Sequence, residues 1–154
     1  MIFHSTGLFK KYKTSHVVNK LISNKVFNIE LSAGLYEKNI INFLIKKKKE
    51  NPKINFLIHN YFPASKNPFV LNLSSNNSEI KNKSIKLAKR AIKISRKLDA
   101  KFYGFHAGFL IDPKIKSLGK TIDYASPPIS RSLAQKNFIK SVIHLSKFAK
   151  KNKV

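Results

Sequence analysis

The sequence predicts an α/β protein of four strand–helix units in series, a (βα)4 half of a TIM barrel with parallel strands and helices outside. Three observations predict it. Short apolar runs without helical period alternate with longer amphipathic stretches, so each strand is followed by a helical crossover and neighbouring strands run parallel. Two of those runs end alike: Ile54-Asn55-Phe56-Leu57-Ile58-His59-Asn60-Tyr61-Phe62-Pro63 and Lys101-Phe102-Tyr103-Gly104-Phe105-His106-Ala107-Gly108 both deliver a histidine last, as buried parallel strands do when they present side chains at their carboxyl ends. The length, 154 residues, suits a single partial barrel domain over 1–154, since a closed barrel of this kind uses about 250.

The first strand is expected at about 2–5, where Ile2-Phe3 pass into His4-Ser5-Thr6-Gly7. Val17, Val18, Leu21 and Ile22 then recur at helical spacing behind a cap at Thr14 or Ser15, which predicts a helix over 14–23. Residues 26–32 alternate and carry β-branched and aromatic side chains, so they form the second strand, ending in Glu30 and Ser32 before a turn at Ala33-Gly34. A helix over about 37–49 buries Ile40, Ile41, Leu44 and Ile45 and places Lys46 to Lys49 in its last turn, where cations complement the helix dipole.

The third strand is 54–60. Asn76 with Glu79 resembles a capping box, and Ile80, Leu87, Ala88, Ala91, Ile94 and Leu98 form the stripe of a long third helix whose other side is lysine and arginine. A fourth strand is expected at 101–107. Asp112-Pro113, Gly119 and Pro127-Pro128 mark a long loop over about 111–130, and a fourth helix follows from 132 to 150 with Phe138, Val142, Leu145 and Ala149 inward.

The formal net charge is +24 and the pI about 10.4, the electrostatic footprint of a polyanion binder. Among 31 basic residues, however, only Arg90, Arg96 and Arg131 are arginine, and phosphate and base recognition favour arginine's planar fork. A solvated lysine surface is therefore preferred to a nucleic-acid site. The absence of cysteine excludes disulfides and thiolate metal sites. With no secretory-type amino terminus and no membrane-length apolar run, the chain is expected in the cytoplasm with no membrane partner.

In a barrel the working side chains come from the carboxyl ends of different strands, which share one mouth. His4, Glu30, His59 and His106 occupy such ends in this reading. Imidazole and carboxylate together are ligands for a divalent metal such as zinc, manganese or magnesium, though each one alone is also what an ordinary hydrogen-bonded strand end looks like. Asn60, Tyr61 and Asn72 follow apolar runs within the mouth and are expected, with His4, to contact substrate. His16 and His144 fall off the apolar stripes and are expected to be solvated.

His59-Asn60-Tyr61-Phe62-Pro63, then Phe69-Val70-Leu71-Asn72-Leu73, then His106-Ala107-Gly108-Phe109 resemble the third and fourth strand ends of the xylose isomerase-like barrel superfamily. That superfamily holds sugar phosphate isomerases/epimerases and apurinic endonucleases of the endonuclease IV type. Asn28-Ile29-Glu30-Leu31-Ser32 resembles the second strand of the sugar-acting members. The resemblance implies His59 and His106 as metal ligands, a sugar or sugar phosphate substrate, and metal-assisted isomerisation or epimerisation; among the scattered acidic residues Glu30 is the one expected to be catalytic. It covers the family's first half only, so the missing barrel half has to come from another chain or from self-association. The alternatives are an endonuclease IV-like DNA repair enzyme and a non-catalytic remnant or basic binding module.

Overall fold

A computed structural model describes residues 2–32, 34–117 and 127–154. It contains a four-stranded parallel sheet in the order β1-β2-β3-β4, with β1 His4–Ser5, β2 Asn28–Leu31, β3 Asn55–His59 and β4 Tyr103–Gly104. The helices are α1 Thr14–Ser23, α2 Ile40–Glu50, α3 Ser78–Lys97 and α4 Arg131–Lys151, and a 3-10 turn over Thr6–Phe9 follows β1. Strand then helix, four times over in sequence-adjacent order, is the arrangement of half a (β/α)8 barrel. Ala33 of the expected turn and residues 118–126 of the expected long loop, Gly119 included, lie outside the described residues.

Two compact units divide the chain. The first comprises Met1–Lys66, Arg90–Phe105 and Asn152–Val154, and the second Asn67–Lys89 and His106–Lys151. In the first unit the sheet alternates: Ile29, Leu31, Phe56 and Ile58 are buried with Val18, Leu44, Ile94 and Leu98 in one apolar cluster. Asn28, Glu30, Asn55, Leu57 and His59, one residue out of step, are only half-buried on the opposite face. That period of two fixes which side chains lie on the polar face. There Asn55 donates to Asn28 at 3.0 Å near the amino ends, while Glu30 and His59 lie toward the carboxyl ends.

The helix stripes lie as expected, but the caps differ. Neither Thr14 nor Ser15 caps α1. Instead the Ser15 N–H and hydroxyl both donate to the carboxylate of Glu37, a residue between β2 and α2. At α3 the cap is Asn77, whose side-chain oxygen accepts from the N–H groups of Glu79 and Ile80 at 2.9 and 3.2 Å, and Glu79 pairs with Lys83. An Asn-Asn pair precedes that helix, and only geometry tells which member aims its oxygen at the free N–H groups.

Both α1 and α3 end in a reversal that glycine would suit. Val26 donates to Leu21 and Lys25 to Ile22, with Lys25 at φ 61°; Ala100 donates to Ser95 and Asp99 to Arg96, with Asp99 at φ 54°. These are the paired bonds of a Schellman cap, whose left-handed residue is usually glycine. Lys25 is exposed, so nothing offsets its backbone strain. Lys25→Gly is expected to stabilise the fold by about 1 kcal/mol, read as a higher midpoint in urea denaturation; an unchanged or lower midpoint refutes the strain.

The second unit centres on a polar residue. Asn72 is 1% exposed. Its amide nitrogen donates to the Phe109 and Ile111 carbonyls and to Asp112 Oδ1, and its side-chain oxygen accepts from the N–H groups of Ser74 and Phe109. Asp112 also accepts from Ser75 Oγ at 2.9 Å. Gly108, at φ 122°, closes the cluster: a Cβ there would come within 2.6 Å of both Asn72 Oδ1 and Ser74 Oγ. Farther along α4, the Ser141 hydroxyl donates to the Leu73 carbonyl at 2.9 Å.

Candidate functional site

Three side chains meet at the carboxyl ends of β1, β2 and β3, all within the first unit. Register pairs Ser5 with Glu30 and Glu30 with Leu57, so Ser5, Glu30 and His59 share one face. Ser5 Oγ donates to Glu30 Oε1 at 2.6 Å, and the same oxygen lies 3.5 Å from His59 Nδ1. The side chains of Glu30 and His59 are 23% and 29% exposed, which leaves a reactant access while limiting competing water. Glu30 is thus the centre of a short polar row, bonded to a neutral donor on one side and facing an imidazole on the other.

The row is fixed from beneath. Ser5 also caps the 3-10 turn, accepting the Gly7 N–H at 3.2 Å. Thr6, 2% exposed, ties the first two strand ends together: its Oγ1 accepts the Ser32 N–H at 3.0 Å and donates to the Ser32 carbonyl. Gly104 lies opposite His59 in the β3–β4 register, and a Cβ there would come 3.3 Å from His59 Cδ2. Glycine therefore leaves room for the imidazole.

Beyond His59 the chain turns sharply. Asn60 has φ 40° and is 2% exposed. Its N–H donates to the Gly104 carbonyl at 2.6 Å and its carbonyl accepts from Tyr103 Oη at 3.0 Å. Burial, with a smaller contribution from Tyr61, pushes the Tyr103 phenol well above its ordinary range, so it stays a neutral donor. Tyr61 is half-buried.

The expected site residues are thus partly assembled. Glu30 and His59 come together. His4 does not join them: it pairs with Ile29, whose side chain belongs to the apolar cluster, and is itself exposed, so Ser5 takes the strand-end place His4 was expected to fill. One residue of register decides this, because a strand's side chains alternate faces. His106 does not end a strand, since β4 stops at Gly104 and His106 lies exposed in the second unit. The reason is pairing: β3 ends at His59, opposite Gly104, so residues 105–107 have no ladder to extend. Asn72 belongs to the second unit, with both ends of its amide committed to fold contacts. Ser5 was missed because a two-residue strand carries no legible alternation.

Among the described residues no group of three histidine, cysteine or acidic side chains could hold a metal ion. Glu30 and His59 supply two donors, short of the set a tight divalent site uses. They do not by themselves fit a metal centre, and no chemistry below passes through one.

No family model matches the sequence, and no curated protein matches it. Solved structures do match the fold. The chain is similar to D-psicose 3-epimerase from Clostridium cellulolyticum H10, solved with D-tagatose, at 18% identity and TM-score 0.64, over 94% of this chain and 46% of that one. It is also similar to a D-tagatose 3-epimerase-like protein at 16% identity and TM-score 0.55, over 77% of this chain and 37% of that one. The likeness to both structures agrees with the half-barrel fold expected from the sequence. The chain spans less than half the length of each, and at these identities the likeness is one of fold. No helix among the described residues is long and apolar enough to cross a membrane.

Proposed function

We propose that the chain carries the sugar-binding, proton-handling half of an isomerase or epimerase barrel acting on a ketose or its phosphate. One observation carries this reading: a single carboxylate, Glu30, held between Ser5 and His59 at adjacent strand ends. The two structural neighbours are named for epimerisation at carbon 3 of a ketose. Inverting that carbon requires removal of its proton, which lies next to the carbonyl at carbon 2, and return of a proton to the opposite face.

In this reading Glu30 takes the first proton. As the C–H bond breaks, its electron pair moves into the bond between carbons 2 and 3, and negative charge gathers on the carbonyl oxygen. The Ser5 hydroxyl holds the carboxylate in one orientation, while His59 supplies a donor at the same strand end for a sugar oxygen. Return of a proton to the other face needs a second acid, from the strands that complete the barrel. That completion is another polypeptide, further chain or a second copy, and a divalent metal belongs to the reading only with ligands those strands would bring. Titration of the protein with D-psicose, followed by amide chemical shifts, is expected to show saturable changes at residues 5, 30 and 59. Uniform or non-saturating shifts would refute the reading.

The net charge of +24 favours a second reading, a basic module or endonuclease IV-like protein that binds nucleic acid through phosphates. It requires duplex DNA affinity that falls steeply with salt and is indifferent to His59→Ala. Salt-insensitive sugar binding lost in that variant favours the first.

A further inference from the structure

Asn60 holds a polar atom that the fold leaves unsatisfied: among the described residues its Oδ1 is buried with no hydrogen-bond partner. The backbone is costly there as well, because φ 40° is the left-handed region that L side chains rarely adopt. Asparagine tolerates that region, which accounts for the residue type but not for burying an unpaired oxygen. Glycine would accept the turn at lower cost and bury nothing polar. Two unfavourable features thus coincide at one residue, directly after His59 and bolted to β4 by its own N–H and carbonyl. Strain of this kind persists where the surroundings over-determine it, and it gathers at ligand sites.

We propose that Asn60 Oδ1 is a specificity acceptor for a sugar hydroxyl, taken up at the end of β3 beside His59. This rests on the sugar-site reading above. A buried lone acceptor selects strongly, since a ligand with a hydroxyl at that place fills it and one without leaves it empty. The oxygen is closed to solvent in the free chain, so uptake requires the turn over residues 60–62 to shift. The ligand class is a polyol-bearing ketose with a free hydroxyl there.

The test compares wild type, Asn60→Gly and Asn60→Asp by titration with D-psicose and with a series of monodeoxy ketohexoses. Asn60→Gly is expected to melt about 2–4 °C higher yet bind D-psicose about tenfold more weakly. Asn60→Asp, which keeps the acceptor oxygens, is expected to stay within about threefold of wild type. One deoxy sugar should lose about tenfold against wild type and nothing further against Asn60→Gly. Equal D-psicose affinity in wild type and Asn60→Gly would overturn the proposal, the oxygen then serving the turn or a trapped water only. If Asn60→Gly does not fold, wild type decides: equal affinity for every deoxy sugar also overturns it. Absence of any saturable binding by wild type removes the sugar-site reading itself, a different result from binding that ignores Asn60.

Discussion

Asn72→Ala is expected to unfold the second unit, lowering stability by about 3–5 kcal/mol. The side chain gives one amide to five partners. Its removal leaves the N–H groups of Ser74 and Phe109, two carbonyls and one oxygen of Asp112 without that partner in a site closed to water. Each such group costs on the order of 1–3 kcal/mol when buried unpaired, and partial relaxation keeps the total below their sum. Asn72→Asp should be nearly as damaging, because it deletes both donors and sets a carboxylate 2.8 Å from Asp112. Gly108→Ala attacks the same cluster from the other side, through the close approach of a Cβ to Asn72 and Ser74. Hydrogen exchange over residues 67–89 and 127–151 checks the first variant. Native-like protection in Asn72→Ala would show that the cluster contributes little.

Glu30→Gln is expected to reduce exchange of the carbon-3 proton of D-psicose with heavy water by about 100-fold or more, the usual scale of a removed general base. The substitution keeps the side-chain length and an oxygen to accept from Ser5. Binding should therefore change little while exchange is lost. Because this chain supplies one carboxylate at the row, wild type is expected to exchange the proton without accumulating the epimer. Deuterium incorporation followed by NMR separates the two. Equal exchange in wild type and Glu30→Gln would remove Glu30 from the chemistry, and sugar binding lost with exchange would make it a binding residue instead.

The long helices and the two longer strands were legible because each repeats its pattern several times. α3 carries its stripe from Ile80 to Leu98, and β3 sets Phe56 and Ile58 against Asn55, Leu57 and His59. The two-residue strands were not: β1 offers a single pair of side chains, and choosing between His4 and Ser5 depends on register against Ile29 and Glu30, which is tertiary information. The same limit applies to His106. Its similarity to His59 lies in the local string, whereas the end of β4 is set by where β3 stops offering backbone partners. Asn72 shows a different ambiguity, since a polar residue after an apolar run looks alike whether it contacts a ligand or fastens two loops. Caps fell between these cases, as with Asn76 and Asn77.

Both outer strands of the sheet, β1 and β4, are two residues long. An open parallel sheet would ordinarily be a hazard, because an exposed edge can recruit further chains and grow toward fibrils. Edges this short offer too few backbone groups to act as such a template. Pairing at either edge would therefore depend on side-chain packing more than on backbone hydrogen bonds.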